Sequence, residues 1–182
     1  MEKDLIQRPS TCQRIAFVGP ESTGKTTLSQ RMAALHHTQW VEEYMRLYLQ
    51  EKWDKQRAVC SWDDLLPIAK GQIRLENEAL LKANDYLFCD TCLLELVVYS
   101  YIYYGKCDPM IEKQALSHKY DHIFLTYIDT PWVADDLRDK PHEREEIFSF
   151  FKNFLEKKTI PFHLLKGGID HRIEQINLIL NK

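Results

Sequence analysis

An α/β fold with a mostly parallel sheet is what this chain predicts, on three observations. Five short apolar runs rich in β-branched and aromatic residues recur along it. Each is followed by a segment with helical spacing of its apolar residues, and a glycine-bearing turn joins the first strand to the first helix. Strands that alternate with helices pair in parallel, because each crossover returns the chain to the same end of the sheet.

The elements follow in order. Arg14 to Val18 reads as a buried strand ending at Gly19, and Lys25 to His36 as a helix with Leu28, Met32 and Leu35 on one face. A second strand ends near Trp40 and Val41, and a helix runs from Glu43 to about Lys52. Ser61 is a good N-cap for a long helix through Ile68 and Ile73 to about Ala83, with Asp63 and Asp64 in its first turn. Tyr86 to Cys89 is a strand closed by Asp90, and Leu93 to Tyr104 a mostly apolar helix ending at Gly105. Pro109 opens the next helix, where its missing N–H does no harm. His122 to Tyr127, Glu143 to Lys158, Ile160 to Leu165 and His171 to Leu180 complete the series as strand, helix, strand, helix.

Composition narrows the function. The 182 residues carry 24 Lys+Arg against 27 Asp+Glu, a net charge of −3, which argues against a general nucleic-acid binder and for one soluble domain. A chain this long should bury about 70% of its unfolded surface without help from metals or disulfides. The most apolar stretch, Leu93 to Tyr104, is too short to span a bilayer and contains Glu95. No secretory pattern opens the chain, so the cytoplasm is the expected compartment and residues 1–12 are expected to form a flexible segment. An oligomer is compatible with this composition. Five cysteines form no paired framework, and Cys89-Asp-Thr-Cys92, although of CxxC form, has no second ligand pair at zinc spacing. It reads as a strand running into a functional Asp90.

Residues 19 to 26, Gly-Pro-Glu-Ser-Thr-Gly-Lys-Thr, match G-x-x-x-x-G-K-[ST] between a strand and a helix. In such a loop successive N–H groups turn inward to phosphate oxygens and the new helix presents its positive end. Gly19, Glu21, Ser22, Thr23, Gly24 and Thr27 are thus expected around the phosphates, with Lys25 on the β and γ groups and Thr26 on a magnesium ion. Asp90, at a strand end, fits the second acidic ligand of that ion. The sequence argues against a switch GTPase, since no glycine has an aspartate three residues before it and no NKxD segment occurs.

Two further segments point to phosphoryl transfer. Glu42-Glu43-Tyr44-Met45-Arg46 follows the second strand, so Glu43 can face the acceptor hydroxyl with Arg46 one helical turn on. The charge-dense stretch from Asp129 to Arg144 offers Arg138 and Arg144 as lid arginines over the transferring phosphate. Gln72 is placed toward the same pocket.

FVGPESTGKTTL, EEYMRLYL, the Asp90-Thr91 pair after YLFC, and DTPWVADDLRDKPHERE, taken together, resemble the ribosylnicotinamide kinase domain of the NadR-type NAD-biosynthesis proteins and its standalone relatives. The resemblance runs from about Arg14 to Leu180. It implies a single P-loop domain of the nucleoside-kinase type, with a five-stranded sheet, an arginine-bearing lid, ATP and magnesium. It also implies phosphorylation of the 5′-hydroxyl of nicotinamide riboside. Carried over by position, Glu43 and Arg46 lie at the riboside, Asp90 near the metal and hydroxyl, and Arg138 in the lid. Members commonly show Asp-Thr-Asp where this chain has Asp90-Thr91-Cys92. A kinase for another nucleoside or nucleotide, and a regulatory ATP-binding module with no acceptor, are the competing expectations.

Overall fold

A computed structural model describes residues 2–133 and 142–181, the side chain of Glu2 excepted. Five strands, β1 (Gln13–Val18), β2 (Gln39–Val41), β3 (Tyr86–Asp90), β4 (His122–Thr126) and β5 (His163–Leu165), form one sheet in the order β2-β3-β1-β4-β5. Every neighbouring pair is parallel. The helices are α1 (Lys25–Leu35), α2 (Tyr44–Gln56), α3 (Leu65–Ala79), α4 (Leu93–Tyr104), α5 (Pro109–Ser117), α6 (Arg144–Lys157) and α7 (Ile169–Leu180). The expected alternation and the expected sheet are both present.

Helices cover both faces, so the central strands are apolar on both sides, as parallel strands must be. Ile15 and Phe17 of β1 point with Phe88 and Phe124 toward α1 and α7, where Leu28, Met32 and Ile176 meet them. Ala16 and Val18 point the other way, with Leu87, Cys89, Ile123 and Leu125, into the larger core under α3 to α6. Strand alternation alone accounts for this division.

Boundaries shift where local chemistry intervenes. The long helix after Ser61 begins as a 3-10 turn under a capping box in which Ser61 and Asp64 satisfy each other's backbone, and it tightens again at Leu80–Lys82. The last strand starts at His163 and not at Ile160, because Ile160 N–H still closes α6 on Leu155 and Pro161 has no donor for the ladder. α2 runs on to Gln56, where Arg57 turns left-handed.

Within residues 1–12, expected as a flexible segment, Leu5 and Arg8 contact the body of the fold. Leu5 is fully buried, its carbonyl bonds to His118 Nε2 at 2.7 Å, and Arg8 N–H donates to Asn77 at 2.8 Å. Leu5 fills a core site that nothing in its own polar neighbourhood announces. No helix among the described residues is long and apolar enough to cross a membrane.

Candidate active site

β1, β2, β3 and β4 all end at one edge of the sheet, and the loops that leave them build the site. β1 passes into Gly19, whose φ of +138° and close approach to Thr126 exclude a side chain: a Cβ there would sit 2.9 Å from the Thr126 carbonyl oxygen. Ser22 is also left-handed (φ 56°), and Gly24 (φ 86°) opens α1 with no side-chain cap. The first N–H groups of α1 therefore face the loop's hollow and not a capping oxygen.

Lys25 folds back into that hollow. Its ammonium donates to the carbonyls of Gly19 (2.7 Å) and Pro20 (3.0 Å) and pairs with Glu95 at 3.3 Å, while Glu95 also accepts from Gly19 N–H at 3.3 Å. Burial works against the Lys25 charge, yet Glu95 first, then Glu43 and Asp90, hold it above its ordinary value. Thr26 Oγ1 donates to Asp90 Oδ2 at 2.5 Å. β3 pairs Asp90 in register with Phe17, which brings the carboxyl beside the root of the loop. Burial, then the charge of Glu43, raises Asp90 to about 7 against the pull of Lys25 and Thr26.

Three carboxyls therefore surround one ammonium, and Asp90 Oδ1 is buried with no hydrogen-bond partner. A hydroxyl, a carboxylate with an open oxygen and a local excess of acid are the donor set a magnesium ion takes, so Thr26 and Asp90 fit that role. Cys89 faces the core and Cys92 leads into α4; both are buried and burial keeps both thiols protonated.

The hollow opens into a cavity of about 360 Å³, walled by Glu21 to Thr27 of the loop and by Glu43, Arg46, Glu95 and Tyr99. A second cavity of about 370 Å³ adjoins it, sharing Glu21, Met45 and Tyr99, and its walls are mostly apolar and aromatic, among them Trp53, Tyr103 and Tyr104. Tyr99 stands on the boundary, its hydroxyl buried and without a hydrogen-bond partner.

Of the residues expected around the ligands, Glu21 to Thr27, Glu43 and Arg46 line the first cavity, while Gln72 and Arg144 do not. Gln72 lines a small pocket with Met45 and Glu95. Its carbonyl oxygen accepts from Tyr44 N–H at 2.8 Å and so satisfies the start of α2, next to Glu43. Arg144 is engaged with backbone, donating to Thr130 O at 2.9 Å and Ser22 O at 3.2 Å, and stacks near Trp132. It braces the loop. Arg138 lies outside the described residues.

Sequence reasoning missed Arg172. Its guanidinium is completely buried and donates to Thr23 O (2.6 Å), to Tyr127 O (2.9 Å) and to the Asp129 carboxylate, which in turn accepts from Gly167 N–H. One side chain thus ties the phosphate loop to the turns after β4 and β5. An arginine among Ile169, Ile173 and Ile176, on the apolar stripe of α7, was the available signal.

A family model described as an AAA domain matches residues 14–172. The chain belongs to the AAA domain family. Within reach of this AAA domain, the trifunctional NAD biosynthesis/regulator protein NadR of Escherichia coli is 28% identical over 157 residues, covering 85% of this chain and 38% of that protein. The chain thus spans about two-fifths of the curated relatives it matches. A crystal structure of NadR protein in complex with NR superposes with a TM-score of 0.79 at 22% identity, over 91% of this chain and 51% of that one. A deoxyadenosine kinase from M. mycoides superposes with a TM-score of 0.69 at 14% identity, over 93% and 99%. The AAA domain here accordingly has the fold of the P-loop nucleoside kinases.

Proposed function

We propose that this chain is an ATP-dependent small-molecule kinase whose acceptor is the 5′-hydroxyl of nicotinamide riboside, the product being nicotinamide mononucleotide. One observation carries the reading: the phosphate loop and Glu43 share a cavity that continues, past Met45 and Tyr99, into an aromatic-walled one. A nucleotide's phosphates and a ring-bearing acceptor would meet at that junction. The homology to NadR supports the riboside, and so does charge. The pyridinium ring of nicotinamide riboside is a cation, and the second cavity offers aromatic faces with Glu21 at its edge.

In this reading the acceptor oxygen attacks the γ-phosphorus, the bond from that phosphorus to the bridging oxygen breaks, and ADP leaves with the electron pair. Glu43 takes the hydroxyl proton, since it lines the cavity while Asp90 is held against Thr26. Lys25 and the loop N–H groups carry the developing charge, the larger share of the rate in a loose transition state. Thr26 and Asp90 would hold a magnesium ion, which would supply neutralisation of the phosphate charge. Arg46 borders the same cavity and orients the acceptor, and Arg138 is the proposed lid arginine.

Transfer of labelled phosphate from ATP to a panel of acceptors tests this. Nicotinamide riboside should be the efficient acceptor, with its uncharged dihydro form much poorer. A second reading, in which a deoxynucleoside or nucleotide is the acceptor, draws support from the fold shared with deoxyadenosine kinase. Efficient labelling of those compounds in place of the riboside would establish it. ATP consumption indifferent to every acceptor would leave a regulatory ATP-binding module.

A further inference from the structure

Glu95 is the lone acid of an otherwise apolar helix, on the first turn of α4, and it is 2% exposed. A carboxylate so placed is expensive to bury unless its charge is met. Burial, with Glu43 and Asp90 nearby, pushes the Glu95 carboxyl well above its ordinary range, and what favours its charged form are the two kinds of group that a phosphate loop keeps for its ligand, the Lys25 ammonium and a backbone N–H, that of Gly19. Among the described residues Lys25 contacts Glu95 and the carbonyls of Gly19 and Pro20, as many partners as its ammonium has N–H bonds. An arriving phosphate therefore meets a lysine already engaged by a carboxyl group.

We propose that Glu95 is a positioning residue that stands in for phosphate: its carboxylate holds Lys25 and the root of the loop in ligand-ready form, and a phosphate oxygen displaces it. Tyr99, one helical turn on and on the same face, is placed to receive the displaced carboxylate, since its buried hydroxyl has no other partner and feels the Glu95 charge first among the nearby acids. The arrangement favours polyphosphates, whose several charges can outcompete a carboxylate, over small anions such as sulfate. This inference rests on the loop's taking a phosphate-bearing ligand, and deepens that reading.

The test is calorimetric titration of the full chain with ADP, pyrophosphate and sulfate at fixed magnesium, for wild type, Glu95→Gln and Glu95→Ala. Gln keeps the shape and can still accept from Gly19 N–H, so it guards against loss of fold; Ala removes the competitor altogether. Both variants should bind pyrophosphate at least about tenfold more tightly, the worth of one charge-assisted contact, and sulfate should gain by a larger factor than ADP. Wild type that binds ADP while neither variant binds pyrophosphate more tightly overturns the inference and leaves the phosphate-loop reading standing. So does a kcat lowered a hundredfold in Glu95→Gln with pyrophosphate affinity unchanged, which would make Glu95 a proton acceptor. Wild type that binds neither ADP nor pyrophosphate sinks the phosphate-loop reading itself.

Discussion

Replacing Arg172 by Met should damage both the fold and the loop, and the size of the effect can be worked from its contacts. Met matches the length of the aliphatic stem but leaves the carbonyls of Thr23 and Tyr127 without a donor and Asp129 without its cation. Breaking a buried charged pair in this way costs about 3–5 kcal/mol. Asp129 is 29% exposed and keeps its bond from Gly167 N–H, so water recovers part of that and the lower end applies. For a chain of this size about 3 kcal/mol lowers Tm by roughly 6–12 °C. Because Thr23 is in the loop, ADP affinity should fall as well, by more than Asp129→Asn lowers it. Arg172→Lys should rescue little, since one ammonium cannot span three acceptors that a planar fork reaches. Thermal melts and ADP titration of the three variants decide the matter. A Tm for Arg172→Met within about 1 °C of wild type, with unchanged ADP binding, would refute the claim that this side chain braces the loop.

Further consequences are open to direct measurement. Lys25→Ala should abolish phosphate transfer, whereas Glu43→Gln should lower kcat and raise the riboside KM; equal turnover of Lys25→Ala and wild type would remove the catalytic role. Asp90 and Glu76 are buried acids raised to about 7, so the native state binds more protons than the unfolded chain between about pH 4 and 7. Ligand-free stability should fall as pH rises through that window, and Asp90→Asn and Glu76→Gln should each flatten the slope of Tm against pH. Gly71→Ala should destabilise although alanine gains about 1 kcal/mol of helix propensity: its Cβ would lie 1.9 Å from the Tyr44 ring, an overlap costing about 1–3 kcal/mol or more, and because Tyr44 adjoins Glu43 the riboside KM should rise with it. Tyr99→Phe should leave Tm nearly unchanged, its hydroxyl having no partner to lose, while weakening riboside binding.

The alternation of strands and helices, the phosphate loop and Asp90 at the end of β3 were all legible in the chain, because each is written in contiguous residues. Glycines at 19 and 24 permit the backbone the loop needs, apolar runs have the period of strands, and strand ends in a parallel sheet collect at one edge. What the tertiary structure alone decided is which distant side chains share that edge. Gln72 satisfies the start of α2, Arg144 holds backbone carbonyls, Leu5 anchors a segment that reads as loose, and Arg172 and Glu95 reach the loop from elements 76 to 149 residues away. A helix carries its residues round every face, and its sequence says which of them are apolar, not which neighbour a polar one will meet. That choice is made by packing, where a buried charge must find its counterpart or the fold does not close around it.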